Sequence, residues 1–490
     1  MWNHKNNHPK QDAVIPARPP KSAARFVQTD SAGFVANFNR ESRSPTHFRR
    51  GTSSSSRKVL RALSASAKAF GDDRGLRPQD DIKIVRLTKL SEIHQIKSEW
   101  EDLLRRARNK SIFLTWEWLI TWWETYGENN ELWWINVKDE NGKLIGSAPF
   151  YLRKQSNGLI LPHRELRFIG TGAPVSPEHL DVLAVPEKSA EVIEAIQRYL
   201  VDHAKDWDVL LLTDLTRKGG ATPPESTGRG DCAPTALKLN DALIEDQLPS
   251  APYIPLPDIW ENYFKSLGKW LRRTVVRQRN KQTRELNMSF YVWSPKDGGL
   301  DVAFGKFEKL YALRKESVKV ENKFEESPGY QKFHRLLASR FAERGWLNLA
   351  FLKIGDKEVA CEYTFKYLDT LYSYQCGFDP AFGKNNVFKV LRSYVIEDAV
   401  RQGMKEFDLL RGEEPYKYDW KALPRKKQML RCFSPTFYGG MLNQILRLRR
   451  KGKQWFHKVG APLVGARLNE KGGQVQDLPL HFDDQRNNHE

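Results

Sequence analysis

The sequence repeats one order of secondary structure in its two halves. Two apolar runs flank a turn in ELWWINVKDENGKLIGSAPFYL (residues 131–152) and again in WLNLAFLKIGDKEVACEYTFKY (residues 346–367). Such a pattern predicts a β-hairpin. In each half, helices precede the hairpin, and a further helix and a strand follow it, ending in WDVLLLTDL and in KEFDLLRGE. A repeated order of this kind is typical of a duplicated α/β unit, which strongly limits the folds open to the chain.

The amino-acid composition predicts where the two units begin and end. The fold class we predict is α/β, with two tandem units, each a mixed and mostly antiparallel sheet flanked by helices. Glycine, threonine, proline and serine concentrate at residues 216–235, which favours a linker there. In chain order, the predicted divisions are a disordered basic arm at 1–80, the first unit at 81–215, a linker and crossover at 216–250, the second unit at 251–440, and a basic amphipathic helix with a polar tail at 441–490.

The net charge of +19 is unevenly spread. Residues 1–80 contain fifteen Lys or Arg and six Asp or Glu, so this sixth of the chain carries about half of the excess. It has no apolar period, so it cannot bury enough surface to offset the entropy of ordering. No run of residues has the roughly 18 consecutive apolar positions of a membrane span. The four cysteines form no C-x-x-C pair, which favours buried thiols in a reducing, cytoplasmic compartment.

Tryptophan is concentrated in one predicted helix, residues 115–126. Trp116, Trp118, Trp122 and Trp123 recur there at helical spacing. Aromatic residues at this spacing more often form a core than a ligand site, so we expect this helix to be buried.

Several stretches resemble one protein family in the same order along the chain. They are FLTWEWLITWWETYG, GKLIGSAPFYL, LRFIGTGAPVSPEHLDVLAVP, SLGKWLRRTVVRQRNKQ, FHRLLASRFAERGWLNLAFLKIGDKEVACEYTFKY, YSYQCGFDPAF and EFDLLRGEEPYKYDW, and they cover residues 85 to 435 approximately. The element order resembles that of GNAT acyltransferases. The stretches resemble the CelD/BcsL-type acetyltransferases of cellulose and exopolysaccharide biosynthesis, which are related to the tandem-GNAT Fem-like aminoacyltransferases.

The resemblance implies an acyltransferase of the acetyltransferase type. Its donor would be acetyl-CoA or another acyl-CoA, with no metal, and its acceptor an amine or hydroxyl on a saccharide or cell-envelope precursor. Two alternatives stay open. One is a Fem-like transferase that takes its donor from aminoacyl-tRNA, and the other is a non-catalytic GNAT-fold component of polysaccharide machinery.

The resemblance also implies a donor site in the loop before a predicted helix at residue 387. Backbone N–H groups at a helix N-terminus can bind a pyrophosphate. Such proteins usually carry a Ser-Pro-Gly-like turn here, and this chain departs from it, because asparagine replaces the glycine that would let the backbone approach a phosphate. The predicted donor-binding residues are Gly377, Phe378, Lys384, Asn385, Asn386 and Val387.

Four residues of the second unit are candidates for acid–base catalysis. Asp408 lies on the last predicted strand and is the first candidate base. Glu362 lies among apolar residues on a neighbouring strand, where burial would disfavour its charged form, and it is the second. Glu414 is the alternative base, and Tyr416 is the candidate acid that protonates the leaving thiolate.

Cationic residues are the candidates for binding the acceptor. Arg411 and Lys417 follow the last predicted strand, where Arg411 could also stabilise an oxyanion. Arg272 and Arg273 lie in residues 269–284, which hold seven Lys or Arg and no acid. A solvated helix face is the alternative interpretation of that charge run. The basic tail helix at 441–457 could contact an anionic membrane surface peripherally.

Overall fold

The computed structural model describes residues 82–156, 161–216 and 243–459. The predicted basic arm at 1–80, most of the predicted linker at 216–250 and the polar tail beyond residue 459 lie outside the described residues.

The described strands form two mixed sheets. The first sheet has the order β1-β2-β3-β4-β6-β14-β7, with β5 paired to β3. Its strands are β1 (Lys83–Leu87), β2 (Glu131–Lys138), β3 (Leu144–Gln155), β4 (His163–Phe168), β5 (Leu183–Ala184), β6 (Val209–Thr216), β7 (Leu243–Leu248) and β14 (Lys427–Phe433). The second sheet has the order β8-β13-β12-β11-β10-β9. Its strands are β8 (Tyr253–Pro255), β9 (Met288–Val292), β10 (Leu347–Ile354), β11 (Lys357–Tyr367), β12 (Thr370–Phe378) and β13 (Glu406–Asp408).

Helices flank both sheets. They are α1 (Leu90–Gln95), α2 (Lys97–Arg106), α3 (Trp116–Tyr126), α4 (Ser189–Asp202), α5 (Trp260–Ser266), α6 (Lys269–Glu285), α7 (Leu300–Ser317), α8 (Lys323–Glu326), α9 (Tyr330–Glu343), α10 (Val387–Arg401), α11 (Pro415–Asp419) and α12 (Phe437–Val459). Within the described ranges, no helix combines the length and the hydropathy needed to cross a bilayer. The predicted fold class, two mixed sheets flanked by helices, is confirmed.

The two sheets share one connection pattern. In the first, β2, β3 and β4 run antiparallel, and α4 leads to β6, which pairs parallel to β4. In the second, β10, β11 and β12 run antiparallel, and α10 leads to β13, which pairs parallel to β12. Each sheet therefore contains one parallel pair among antiparallel ones, at the same place in the repeated order.

The tryptophan-rich helix α3 packs between the two halves. Trp118 is fully buried, and its ring lies 5.2 Å from Phe333 of α9 and 5.7 Å from Tyr374 of β12, measured between ring centroids. Edge-on contacts between aromatic rings at these distances add to the free energy gained by burial. The expectation that these tryptophans form core is confirmed for Trp116, Trp118 and Trp122.

The chain returns to the first sheet after completing the second. Strand β14 pairs with both β6 and β7, and so inserts between them. Leu442 of α12 packs in one apolar cluster with Val209 of β6 and Phe433 of β14. Because β14 belongs to the range 251–440, the predicted boundaries do not follow the sheets, and the second unit supplies a strand to the first.

One glycine of β12 allows helix α7 to approach the second sheet. A Cβ atom built on Gly377 would lie 2.4 Å from the backbone nitrogen of Tyr311. We therefore expect Gly377→Ala to lower the free energy of unfolding by about 1–3 kcal/mol through overpacking. Gly383→Ala is the control, because the same construction finds no atom within 4 Å. Urea denaturation measures both, and equal stability of the two variants would contradict the close approach.

Candidate active site

The second sheet opens where β12 and β13 part. The two strands pair in parallel over three residues each, from Thr370↔Glu406 to Tyr372↔Asp408. Strand β12 then continues alone on this side to Phe378. On the edge exposed by this parting, the carbonyl oxygen of Cys376 accepts a hydrogen bond from Nη1 of Arg314 at 3.2 Å. The remaining part of β12, residues 373–378, therefore offers backbone groups to an opening in the sheet.

A β-bulge lies on the other edge of the same strand. Tyr363 pairs with Gln375 and Thr364 pairs with Ser373, so Tyr374 is the extra residue on β12. A bulge bends its strand and increases the local twist. The hydroxyl of Tyr374 accepts a hydrogen bond from the backbone N–H of Ser176, at 3.3 Å, so the bulge also contacts the first half of the chain.

Helix α10 begins close to the end of β12. Asn386, its N-cap residue, has φ 51° and ψ 38°, the left-handed conformation that asparagine adopts more readily than most residues. Its side chain forms no hydrogen bond to the first turn, so the amides that every helix leaves without intrahelical partners there are not capped by it. Asn386 thus adopts a positive φ, the conformation that glycine adopts most easily, two residues after the exposed Lys384.

Side chains from other elements hold this loop. Gln282 of α6 donates a hydrogen bond to the carbonyl oxygen of Asn385. Asp379 accepts one from the backbone N–H of Ala381 at 2.9 Å and pairs with Nζ of Lys357 at 2.6 Å. The predicted donor residues therefore share one anchored segment between β12 and α10.

The segment after β13 turns sharply. Leu410 has φ 54° and Gly412 has φ 117°, and a leucine in the left-handed region is a strained conformation. Nζ of the buried Lys417 donates hydrogen bonds to the carbonyl oxygens of Leu410, Arg411 and Gly412, at 2.9–3.1 Å. Although Glu414 opposes it, burial lowers the pKa of Lys417. This lysine stabilises the turn, and its role in binding the acceptor stays a prediction.

The Arg411 side chain points toward the first half of the chain. Its Nε lies 3.4 Å from Glu178, and its Nη2 pairs with Asp214. Lys427 of β14 pairs with the same two carboxylates. All four side chains are largely buried, and we call this group the inter-sheet charge cluster. The Arg411 guanidinium is therefore engaged by two carboxylates of the first half, and its role toward the acceptor or an oxyanion stays a prediction.

Asp408 is fully buried at the end of β13. Its Oδ2 contacts Nε2 of His179 at 2.7 Å and Nη1 of Arg425 at 2.8 Å, and its Oδ1 accepts a hydrogen bond from the N–H of Leu410 at 2.8 Å. Burial alone would raise the pKa of Asp408, but His179 and Arg425 together lower it below its ordinary value. A carboxylate with both oxygens engaged and a lowered pKa is poorly suited to accept a proton, in contrast to its predicted role.

Glu362 is also fully buried, beneath α10. Its Oε1 accepts hydrogen bonds from Ser373 at 2.6 Å and from Nη2 of Arg392 at 2.7 Å. Among the described residues, its Oε2 has no hydrogen-bond partner, nor do Nε and Nη1 of Arg392. Removing one member of a buried ion pair is strongly destabilising. Glu362 is thus placed to stabilise the junction of α10 with the sheet and is closed to a bulky acceptor.

Glu414 and Tyr416 lie at the opening itself. The Glu414 side chain retains 16% exposure, with Oε2 3.0 Å from Nζ of Lys417. The Tyr416 ring centroid lies 5.7 Å from the guanidinium carbon of Arg392. Burial raises the pKa of Tyr416, with Arg392 acting in the opposite direction, so its hydroxyl stays protonated at neutral pH.

Two arginines of this region were not predicted. Arg392 faces Glu362, and Arg314 caps the open edge of β12. Each interrupts an otherwise apolar face of its helix, for example Arg392 among Val390, Leu391 and Val395. A lone cation within an apolar stripe is the sequence signal that could have found them.

The predicted acceptor residues Arg272 and Arg273 lie elsewhere, on α6. They line a surface cleft of about 1080 Å³ with other residues of α5 and α6. The structure therefore divides the predicted site residues among the opening, the inter-sheet charge cluster and this cleft. Within the described ranges, no group of three or more His, Cys, Asp or Glu is placed to hold a metal ion.

Comparison with known proteins matches part of the second half to a family. Residues 271–418 match the family described as "Acetyltransferase (GNAT) domain". The matched range contains β12, α10, β13 and all but the last residue of α11, and so the elements around the opening. No curated protein matches the chain.

Several solved structures are similar to the chain at low identity. FemX is 9% identical over 71% of this chain and 96% of its own, with a TM-score of 0.48. The L-PGS of Bacillus licheniformis is 12% identical over 72% of this chain and 96% of its own, with a TM-score of 0.42. A tandem GNAT protein of the clavulanic acid pathway is 10% identical over 73% and 99%, with a TM-score of 0.38.

The contacts of Asp408 predict a pH-dependent stability. Because its pKa is lowered in the folded state, its contribution is fully present above its unfolded value of about 3.9 and is lost as pH falls through the folded value. We expect Asp408→Asn to lower the free energy of unfolding by about 3 kcal/mol at pH 5, since it removes the carboxylate that pairs with the largely buried Arg425. The difference from wild type should shrink toward pH 2.

Urea denaturation across this pH range measures the effect. Asp356→Asn is the control, because Asp356 is exposed in the turn between β10 and β11. A difference between Asp408→Asn and wild type that stays constant from pH 5 to pH 2 would mean that the carboxylate charge does not stabilise the fold.

Proposed function

We propose that the chain is an acyl-CoA-dependent N- or O-acyltransferase whose donor site lies in the opening of the second sheet. The observation that carries this proposal is the parting of β12 from β13 next to the uncapped N-terminus of α10. The family match over residues 271–418 supports it, because the match encloses every element of the opening. We further propose a CelD/BcsL-type role, acetylating a cell-envelope or exopolysaccharide-related acceptor in the cytoplasm.

The opening can accommodate both the pyrophosphate and the pantetheine arm of an acyl-CoA. The first-turn amides of α10 and the ammonium of Lys384 would bind the pyrophosphate, since a helix N-terminus attracts anions. The amide groups of the pantetheine arm would pair with the open edge of β12 at residues 373–378, in the way an added strand pairs with a sheet edge. The thioester would then lie toward α11, which carries Tyr416.

The reaction requires one proton acceptor and one proton donor. The amine or hydroxyl of the acceptor attacks the thioester carbonyl carbon and forms a tetrahedral intermediate. Its collapse breaks the carbon–sulfur bond, leaves the acyl group on the acceptor and releases the CoA thiolate. In this proposal Glu414 takes the proton that the acceptor loses, and the Tyr416 hydroxyl protonates the thiolate.

The three candidate bases differ in how accessible their carboxylates are to an acceptor. Asp408 has both carboxylate oxygens engaged, and Glu362 is buried beneath α10 with Arg392. Glu414 is the partly exposed carboxylate of the predicted set and lies two residues before Tyr416. We therefore place Glu414 first, where the sequence placed Asp408 first.

Donor binding is the first test of the proposal. We expect acetyl-CoA or a longer acyl-CoA to raise the melting temperature, because a ligand that binds only the folded state stabilises it. Lys384→Glu should weaken binding at least about tenfold, since it places a negative charge beside the pyrophosphate. Lys332→Glu, an exposed change on α9, is the control.

The same thermal-shift screen separates the alternatives. Stabilisation by charged tRNA and by no acyl-CoA would favour the Fem-like transferase. Stabilisation by neither donor would favour the non-catalytic component. Equal acyl-CoA binding by Lys384→Glu and wild type would move the pyrophosphate away from the start of α10.

Turnover tests the assignment of the base and the acid. General acid–base catalysis typically contributes about 10²–10⁴-fold. We expect Glu414→Gln and Tyr416→Phe each to lower kcat by at least roughly 10²-fold with donor binding intact. Glu413→Gln is the matched control. Glu413 is the exposed neighbour of Glu414, and its carboxylate accepts a hydrogen bond from the backbone N–H of Ser250.

A different result would identify another base. If Asp408→Asn or Glu362→Gln lowers kcat as strongly while stability and donor binding persist, that carboxylate is the base, and Glu414 is not. Near-normal turnover of Glu414→Gln and Tyr416→Phe would remove both residues from the mechanism.

A further inference from the structure

A cationic cleft at the beginning of α6 is not used by the proposed reaction. It has a volume of about 1080 Å³, and its lining includes Lys269, Arg272, Arg273, Arg277 and Trp270. The residues at 269, 273 and 277 recur every four positions, so they lie along one face of the helix. The cleft therefore concentrates positive charge in a concave surface.

The cations of this cleft differ from those further along the same helix. Arg279 pairs with Glu397 at 2.6 Å, and Lys281 pairs with Glu285 at 3.9 Å. Across the described part of the chain, neither Lys269 nor the arginines of the cleft form an ion pair. Of the five cations of α6 without an ion pair among the described residues, four line the cleft, and the fifth, Arg284, lies in the last turn.

Two of these cations, Lys269 and Arg272, lie in the first turn of α6, where a positive charge is unfavourable. The N-terminus of a helix carries a partial positive charge, so a cation there is destabilising by an amount comparable to the roughly 0.3–1 kcal/mol gained by an anion. The first turn of α6 contains no acid, and Gly268 gives it no side-chain cap. A bound anion would satisfy the free amides and offset the repulsion at the same time.

Two further features of the cleft indicate which kind of molecule carries the anion. The Trp270 side chain is 60% exposed, which is unusual for a tryptophan and offers an apolar surface beside the charges. Nζ of Lys389, in the first turn of α10, lies 4.2 Å from the centroid of its ring. The cleft therefore borders the helix that we propose to bind the donor pyrophosphate.

We infer that the α6 cleft is a second phosphate-binding subsite, which takes a phosphate ester carried by one of the two substrates. Guanidinium groups bind phosphate oxygens in paired hydrogen bonds, and Arg272 has a buried Nε without a hydrogen-bond partner among the described residues. The phosphate is either the 3′-phosphate of CoA or the headgroup phosphate of a lipid-borne acceptor. Naming these two sources rests on the proposed function, whereas phosphate binding by the cleft does not.

The test compares two charge-reversed double variants. Arg273→Glu/Arg277→Glu alters the cleft, and Lys110→Glu/Lys143→Glu changes the net charge equally at exposed positions of the first half. The probes are inorganic pyrophosphate, CoA, dephospho-CoA, and phosphatidylcholine vesicles with and without phosphatidylglycerol. We expect the cleft variant to bind at least one phosphate-bearing probe at least tenfold more weakly than the control variant, at equal melting temperature and salt.

The probes distinguish the two sources. If wild type prefers CoA to dephospho-CoA and the cleft variant does not, the phosphate is that of CoA. If the cleft variant alone loses binding to the phosphatidylglycerol vesicles, the phosphate is that of a lipid. Either result supports the subsite.

Other results overturn it. The inference fails if the cleft variant binds every probe as tightly as the control, or if wild type binds none of them. Inorganic pyrophosphate separates this failure from a failure of the proposed function, because its binding to the cleft requires no acyl donor.

Discussion

The inter-sheet charge cluster fixes the position of the proposed active site. Glu178 and Asp214 come from the first half of the chain, and Arg411 and Lys427 come from the second. Buried charges are costly unless they are paired, and removing one partner leaves an uncompensated charge. The segment after β13 must therefore lie where the acids of the first half can reach Arg411. That same segment carries Glu414 and leads into α11, so the geometry of the opening depends on contacts with a different sheet.

The first half consequently helps to shape the proposed active site, although the family match lies entirely in the second. His179 holds Asp408 at the end of β13, and Ser176 contacts the bulged Tyr374 of β12. Both contacts lie at the strands that part to form the opening. The packing of α3 against α9 adds an apolar interface beside them. Duplicated units that had separated into independent domains would not distribute their buried polar groups in this way.

The sequence predicted the secondary-structure elements but not the contacts that individual side chains make between the two halves. The hairpins, α4, α10 and the buried α3 follow from local periodicity, and the structure confirms them. The residues after β13 were recognised as a polar cluster at a strand end. What could not be read locally is that Arg411 and Asp408 are engaged by Asp214 and His179, about 200 residues earlier in the chain. The pairing of β14 was missed for the same reason, because short strands joined over long separations leave little periodic signal.

The insertion of β14 between β6 and β7 has a consequence for biosynthesis. A ribosome delivers the chain from its N-terminus, and domains generally fold as units in that order. Here the first sheet lacks an inner strand until residue 433 has emerged, after the whole second sheet. Until then β6 presents an unpaired edge, the kind of surface that invites association between chains. The first sheet therefore cannot complete its folding before the second half is synthesised. The open edge of β6 must stay protected from other chains while more than 200 further residues are added.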